Sequence, residues 1–211
     1  MGAGGAIARH REEGDEVAVL ILGKGIASRE GQSAQEVQAQ QESLMGDVAE
    51  AHRILATSSY SVDDFPDQKF ETVPILSITQ AIEKAIEQHK PDLIYTHFAG
   101  DVNEDHQRVS RAVEAAARPM LGSALLEVRA FEIASSTEWN FVRPAFHPNV
   151  FVSLSPAQLQ KKVDAMRAYK GEIREFPHPR SAEYLEAQAK VRGAQSGFHA
   201  AEGFELLYKR L

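Results

Sequence analysis

The sequence predicts a single α/β domain over residues 1–211, a doubly wound, mostly parallel sheet with helices on both sides and its first strand missing. Short apolar, β-branched runs alternate with longer segments of helical periodicity, which is typical of parallel sheets whose crossovers are helices. The length of 211 residues fits one domain. A Gly-rich turn enters a helix at the N-terminus with no strand before it, although such a turn normally leaves the carboxyl end of a strand.

The elements follow from apolar periodicity and from helix-stopping residues. The turn at residues 2–5 enters a helix that ends near Gly14, and residues 16–22 are predicted as a fully buried strand with helices on each side. Further helices are predicted at 34–55, 76–89, 105–117, 156–169 and 181–192, and further strands at 58–62, 93–96, 125–133, 149–154 and 204–208. Asp105 is predicted to cap the third of these helices.

Composition narrows the class of protein. Lys+Arg number 23 and Asp+Glu 30, giving a net charge of −7 that opposes binding to phosphate backbones. The chain has 0 cysteines, so a metal must be held by histidine and carboxylate, and a reducing, cytoplasmic compartment is favoured. The longest apolar run, residues 17–22, is far shorter than the ~20 residues of a membrane helix. Nucleic acid and membrane are therefore not expected as partners.

The densest polar cluster follows the predicted strand 93–96, at the end where α/β proteins place their sites. Residues 97–106 contain two imidazoles and three carboxylates, and His106 lies in the first turn of the next predicted helix. Imidazole and carboxylate are the ligands of a catalytic zinc, which usually takes three protein groups and leaves one position for water. A helix cap with solvated acids explains the same residues, because one cluster does not complete a three-ligand site.

This cluster resembles the second motif of the PIG-L deacetylases, also called LmbE-like N-acetylglucosaminyl deacetylases, whose pattern is T-H-x-x-G-D-x-N-x-D-H. The similarity extends over almost the whole chain, through residues 2–10, 14–17, 28–30, 65–67, 135–139, 176–181, 192–193 and 201–204. One departure follows residues 65–67, where the family often continues with Asn-Arg and this chain has Gln68-Lys69.

The resemblance implies a Rossmann-like zinc hydrolase that removes an N-acetyl group from a small-molecule amino sugar or sugar conjugate. The family holds its metal with two His and one Asp, and by motif match His106 is one of these ligands. The other two ligands and the Asp base belong to a motif resembling A-H-P-D-D-E, which in the family stands just before the Gly-rich turn. This sequence does not contain that motif.

We therefore expect an N-terminally truncated domain, in which an internal methionine was taken as the start or the segment was lost. Such a chain should hold zinc weakly or not at all, and hydrolysis should be impaired. Loss of a central strand should make it unstable or self-associating, including homo-oligomers. The alternative is a degenerate homologue that keeps the fold without the hydrolysis.

The candidate catalytic residues are Asp105 and His178, and the candidate substrate-binding residues are Arg29, Asp101, Asn103 and Trp139. His178 would donate to the oxyanion or protonate the leaving amine. Asp101 and Asp105 would orient His106 by hydrogen bonds or contact the sugar. Arg29 would hold a substrate carboxylate or phosphate, and Trp139 would stack on a sugar face. Each of three of these residues also has an explanation without a functional role: His178 as part of a rigid turn, Arg29 as a solvated loop residue, and Trp139 as a partly buried core residue.

Three other classes of function are compatible with parts of the sequence. A non-catalytic sugar-binding homologue would keep the fold alone, and a zinc hydratase or an amidase acting on a thiol-sugar conjugate would use the same scaffold. A nucleotide-binding enzyme is disfavoured, because residues 2–5 do not form the G-x-G-x-x-G pattern.

Overall fold

A computed structural model describes residues 2–25, 34–142 and 144–211. Its helices are α1 Gly4–Glu13, α2 Ala34–Leu55, α3 Ile75–His89, α4 Glu104–Ala116, α5 Pro156–Ala168 and α6 Ala182–Ser196. Its strands are β1 Ala18–Gly23, β2 Ser59–Phe65, β3 Leu93–His97, β4 Glu127–Phe131, β5 Val150–Ser153 and β6 Ala201–Lys209. Each predicted helix and strand is present with boundaries shifted by a few residues, which confirms the α/β class. No helix in the described part is long and apolar enough to cross a membrane.

The strands form two sheets where one was predicted. β1 pairs in parallel with β2, while the larger sheet has the order β3-β4-β6-β5. Within the larger sheet, β3 and β4 are parallel, and β6 runs antiparallel to both β4 and β5. Among the described residues, β1 has a neighbour on one side only, and so does β3. Each of these strands therefore presents an open edge.

Helices cover both faces of the larger sheet, which confirms the doubly wound arrangement. Ile94 of β3 packs into a cluster formed largely by α3 and α4, with Ile78 and Val113 buried at its centre. The next residue, Tyr95, packs with Ala6 of α1 on the other face. This alternation follows from the two-residue period of a strand.

The prediction that residues 16–22 form a fully buried strand is wrong. In β1, Leu22 is buried, Ala18 is exposed, and the remaining residues are partly buried. The physical reason is the open edge, because no strand in the described part covers that side of β1. Leu20 and Leu22 nevertheless belong to the same core cluster as Ile94 of β3, so α3 and α4 bind the two sheets into one core.

The start of α1 is fixed by a buried carboxylate from the far end of the chain. Glu202 accepts hydrogen bonds from the backbone N–H groups of Gly5 (2.9 Å) and Ala6 (2.6 Å), and Lys162 Nζ lies 2.6 Å from the same carboxylate. Gly5 is required by close packing, since a Cβ there would lie 2.5 Å from a methyl carbon of Leu154. The positive end of this helix is thus already occupied by an anion of the protein itself.

Candidate functional site

The site lies where β3 ends and α4 begins. Asn103 caps α4, because its side-chain oxygen accepts hydrogen bonds from the backbone N–H groups of Asp105 (2.9 Å) and His106 (3.4 Å). The prediction that Asp105 caps the helix is therefore wrong, since Asp105 already lies inside its first turn. His106 lies in the first turn of α4, as the sequence predicted.

Asp101 is a fully buried carboxylate surrounded by hydrogen-bond donors. It accepts hydrogen bonds from the hydroxyls of Ser136 and Thr137 and from the backbone N–H of Asn103, and its Oδ1 lies 3.2 Å from His106 Nδ1. Burial alone would raise its pKa, but the nearby His106 imidazole and the hydrogen bonds from Ser136 and Asn103 lower the pKa of Asp101 to about 2. Asp101 is therefore an anion at neutral pH.

The contact with Asp101 fixes the orientation of His106. Because Nδ1 faces the carboxylate, Nε2 is the ring nitrogen left for another partner, and the side chain is 21% exposed. A carboxylate that holds one imidazole nitrogen while the other binds a metal is a common arrangement in metalloproteins. The geometry thus fits His106 as a metal ligand held in place by Asp101.

His97 lies behind His106 as a neutral ring. The two imidazoles are stacked with their centroids 4.3 Å apart, and Phe131 contacts His97 from β4 at 4.8 Å. Burial, with the nearby His106, lowers the pKa of His97 well below its usual range. In the described part of the chain, the buried Nδ1 of His97 has no hydrogen-bond partner.

Asp105 connects the site to the segment that follows β2. Its two oxygens accept hydrogen bonds from the backbone N–H groups of Gln68 (2.7 Å) and Phe70 (3.0 Å), and the side chain is buried. Both carboxylate oxygens are therefore committed to backbone amides. The predicted catalytic role of Asp105 stays a prediction, and it is Asp101 whose carboxylate lies 3.2 Å from His106 Nδ1.

His178 is held so that its Nε2–H can donate a hydrogen bond. Its Nδ1 accepts a hydrogen bond from the backbone N–H of Arg180 (3.0 Å), so the neutral ring carries its proton on Nε2. Arg180 in turn donates from Nε to the hydroxyl of Ser135 at 2.6 Å, and the Trp139 ring meets His178 edge to face at 6.0 Å. Segments 135–139 and 176–181 are thus joined next to Asp101.

The remaining predicted site residues have different outcomes. Asp101 is fully buried against Ser136 and Thr137, and its predicted contact with the sugar stays a prediction. Asn103 uses its carbonyl oxygen as a helix cap, and Trp139 is exposed beside His178. Arg29 lies outside the described residues. Sequence reasoning gave no role to Ser136 or Thr137, although residues 135–139 were among the segments similar to the family.

One group of metal-binding side chains occurs elsewhere in the described part of the chain, formed by His10, Glu13 and Asp15. There, His10 Nδ1 lies 2.7 Å from Asp15 and Nε2 lies 3.0 Å from the Tyr95 hydroxyl, so both ring nitrogens already have partners. No comparable group of three among the described residues includes His106.

Comparison with known proteins identifies relatives of the whole fold. The family model described as PIG-L, GlcNAc-PI de-N-acetylase, matches residues 1–117, more than half of the chain. No curated protein sequence matches at a significant level.

Several solved structures superpose on almost the entire chain, each with a TM-score of 0.75. The conserved protein TT1542 from Thermus thermophilus is 24% identical, with 100% of this chain and 90% of that chain covered. An N,N'-diacetylchitobiose deacetylase from Pyrococcus horikoshii is 15% identical (98% and 78% covered). GalB, the 4-carboxy-2-hydroxymuconate hydratase from Pseudomonas putida, is 20% identical (99% and 91% covered). At these identities the likeness establishes a shared fold.

Proposed function

Because the chain belongs to the PIG-L family of GlcNAc-PI de-N-acetylases, we propose that it carries part of the active site of a metal-dependent N-deacetylase. The substrate is an amino sugar or sugar conjugate, and the reaction hydrolyses its N-acetyl group. The observation that carries this proposal is the His106–Asp101 pair, in which a buried anion orients an imidazole at the carboxyl end of β3. The absence of cysteine favours action in the cytoplasm.

Zinc fits His106 as one ligand. A borderline-soft metal prefers imidazole nitrogen, and Nε2 is the nitrogen that Asp101 does not face. A catalytic zinc usually has three protein ligands, so the described residues supply only part of a site. When bound, zinc polarises the amide carbonyl and makes water a better nucleophile.

The residues of this chain have distinct tasks in the proposed reaction. Asp101 keeps the His106 ring in one orientation. The Nε2–H of the neutral His178 ring donates a hydrogen bond to the amide oxygen as negative charge develops there. Protonation of the leaving amine would require the imidazolium form, in which Nδ1 also carries a proton and no longer accepts the Arg180 N–H. The exposed ring of Trp139 packs against a face of the sugar. Arg29 stays a candidate for binding an anionic group of the substrate.

We propose that a further strand completes the sheet between β1 and β3. The open edges of these two strands border one core cluster, and Gly2 packs against Phe131 at the carboxyl end of β4. A strand parallel to β3 that leads into Gly2 would end beside His106, where the remaining metal ligands and the base are needed. Without it, the open edges favour self-association of the chain.

The test measures zinc and activity in two versions of the protein. The chain of 211 residues is compared with a version extended at its N-terminus by one strand ending in the A-H-P-D-D-E sequence. Each is given one equivalent of zinc, freed of unbound metal, and assayed for zinc by elemental mass spectrometry and for acetate released from N-acetylglucosamine conjugates. We expect the extended version alone to hold about one zinc and to release acetate.

Two controls identify the source of the metal site. The extended version with His106→Ala should lose both zinc and acetate release, whereas His89→Ala, an exposed histidine at the end of α3, should change neither. If the 211-residue chain retains close to one tightly bound zinc, the proposed incomplete site is wrong.

A hydratase is the second candidate, because a structure with the same fold is a 4-carboxy-2-hydroxymuconate hydratase. The extended version is therefore also incubated with an unsaturated hydroxy-dicarboxylate. Zinc binding with hydration of that compound, and without acetate release, would replace the deacetylase proposal with the hydratase. Zinc binding with neither reaction would support a non-catalytic homologue.

A further inference from the structure

Ser135 has a left-handed backbone conformation in the turn that follows β4. Its φ angle is 67°, and it is buried, whereas the other three non-glycine residues with positive φ in the described part of the chain are exposed. This conformation costs free energy in a residue with a Cβ, and it persists only where the surroundings impose it. The contacts of Ser135 therefore control the shape of the turn.

Two side chains hold Ser135 in this conformation. Glu138, from the same turn, accepts hydrogen bonds from the backbone N–H groups of Ser135 (2.6 Å) and Ser136 (3.1 Å). Arg180, from the segment before α6, donates from Nε to the Ser135 hydroxyl at 2.6 Å. The guanidinium of Arg180 is itself fixed by an ion pair with Glu172. Arg180 thus holds the turn from outside.

The turn presents its next two hydroxyls to the carboxylate that orients His106. Ser136 and Thr137 both donate to Asp101, and Asp101 Oδ1 lies 3.2 Å from His106 Nδ1. A change of backbone angle at Ser135 would move both hydroxyls away from the carboxylate. The orientation of His106 therefore depends on how Ser135 is held.

Arg180 also fixes His178. Its backbone N–H donates to His178 Nδ1 at 3.0 Å, which leaves the proton of the neutral ring on Nε2. The backbone N–H of Ser181 in turn donates to the His178 carbonyl at 3.0 Å, so these neighbouring residues form one compact turn. The hydrogen bond from Arg180 to Ser135 joins this turn to the support of His106.

We propose that Arg180 is a positioning residue for the deacetylation, which holds Ser135 and thereby keeps His178 aligned with the metal ligand His106. This inference rests on the proposed function. The planar guanidinium suits the task, because its nitrogens donate in fixed directions to Ser135 and Glu172 at the same time. Alignment matters because a misplacement of about 1 Å between reacting groups can cost about a hundredfold in rate.

The experiment observes the histidine rings of the 211-residue protein by NMR, without metal or substrate. Correlation of the ring nitrogens with the carbon-bound ring hydrogens at about pH 8 shows which nitrogen of each neutral imidazole carries the proton. The signals of His106 and His178 are identified by their loss in His106→Gln and His178→Gln. We expect His106 to be protonated on Nδ1, which faces Asp101, and His178 on Nε2.

Arg180→Gln should disturb both rings. We expect a second tautomer of His106, populated to about a tenth or more, and shifted ring signals of His178. The matched control is Arg174→Gln, because Arg174 is an exposed arginine of the same segment whose guanidinium donates to the carbonyls of Gly171 and Ile173. It should change neither histidine.

A rescue by glycine separates the proposed role from a general loosening of the fold. Glycine adopts a positive φ without strain, so adding Ser135→Gly to Arg180→Gln should return His106 to a single tautomer. The His178 signals should stay shifted, because the link to its turn is still missing. Ser135→Gly alone should preserve the His106 tautomer better than Ser135→Ala, and this pair provides the same test if Arg180→Gln does not fold.

The inference is overturned if His106 keeps one tautomer in Arg180→Gln, or if Arg174→Gln has the same effect as Arg180→Gln. It is also overturned if Ser135→Gly restores nothing, or preserves the His106 tautomer no better than Ser135→Ala. None of these readouts needs zinc or turnover. Their failure is therefore distinguishable from failure of the zinc and acetate assays that test the proposed function.

Discussion

Replacing Glu202 by Gln should destabilise the protein more than any single change on the surface of α1. The carboxylate and Lys162 form an ion pair whose side chains are 4% and 6% exposed, and the same carboxylate accepts two N–H groups at the start of α1. Glu202→Gln leaves the ammonium group buried without a counter-ion. Removing one partner of a buried pair costs about 3–5 kcal/mol, a large share of the roughly 5–15 kcal/mol that typically stabilises a domain.

The reverse change is expected to cost less. Lys162→Met leaves the Glu202 carboxylate with both helix N–H groups and with the favourable end of the helix dipole, so we expect a loss of about 1–3 kcal/mol. Combining Lys162→Met with Glu202→Gln should recover part of the loss, because no unpaired charge is then buried. Urea denaturation followed by circular dichroism, at several protein concentrations, measures each free energy of unfolding.

A second ion pair, between α1 and α5, provides the control. Glu12 of α1 and Lys161 of α5 lie 2.8 Å apart but are 41% and 35% exposed, so solvent screens their attraction and Glu12→Gln should cost far less than Glu202→Gln. If Glu202→Gln costs no more than Glu12→Gln, burial of the charge is not what makes the inner pair important, and the reasoning is refuted.

Three further predictions concern stability. Asp105→Ala leaves two backbone N–H groups without an acceptor, so it should lower the free energy of unfolding by about 2–4 kcal/mol in urea denaturation. The control Glu104→Gln changes an exposed neighbour and should have almost no effect. Equal losses of stability in the two variants would contradict the role given to Asp105. Burial raises the pKa of Tyr95 to about 12. Because this value lies above the pKa of about 10 in the unfolded chain, the protonated phenol contributes its full stability below pH 10, and that stability is lost as the pH rises from about 10 to 12. In a pH titration followed by absorbance at 295 nm, Tyr95→Phe should remove a phenol that ionises near pH 12. Gly193→Ala would place a Cβ 2.6 Å from a backbone oxygen and should lower the melting temperature. Gly46→Ala lies at a helix position with open space around it and should raise the melting temperature. If Gly193→Ala leaves the melting temperature unchanged, α6 moves aside to make room for the methyl group.

The order of helices and strands could be predicted because its signals are local. The run of apolar residues at 17–22 and the helical spacing of Ile78, Ile82 and Ile86 are visible without knowledge of the partners they pack on. The division into two sheets was not predicted as such. Pairing is a property of neighbours distant in sequence, and local patterns do not report which strands lie side by side.

The roles of the two acids in the cluster could not be predicted from the motif. Asp101 and Asp105 both stand within six residues of His106, and either spacing permits a contact with the imidazole. Their partners decide the matter, and these come from elsewhere: Ser136 and Thr137 surround Asp101, whereas the amides after β2 occupy Asp105. A motif specifies which chemical groups are available, but it does not specify which of them face the metal.

The open edge of β1 connects the fold to the proposed chemistry. A strand whose apolar residues face both sides is suited to the centre of a sheet, yet Val19, Leu20 and Ile21 are only partly buried. The same disagreement between residue type and burial does not occur at Ala130 of β4, which has strands on both sides and is fully buried. The poor burial of these β1 residues therefore occurs at an open edge. In the described chain, His106 likewise belongs to no group of three metal-binding side chains. One added strand would remedy both the packing defect and the metal site, which is why stability and zinc retention should rise together in the extended version.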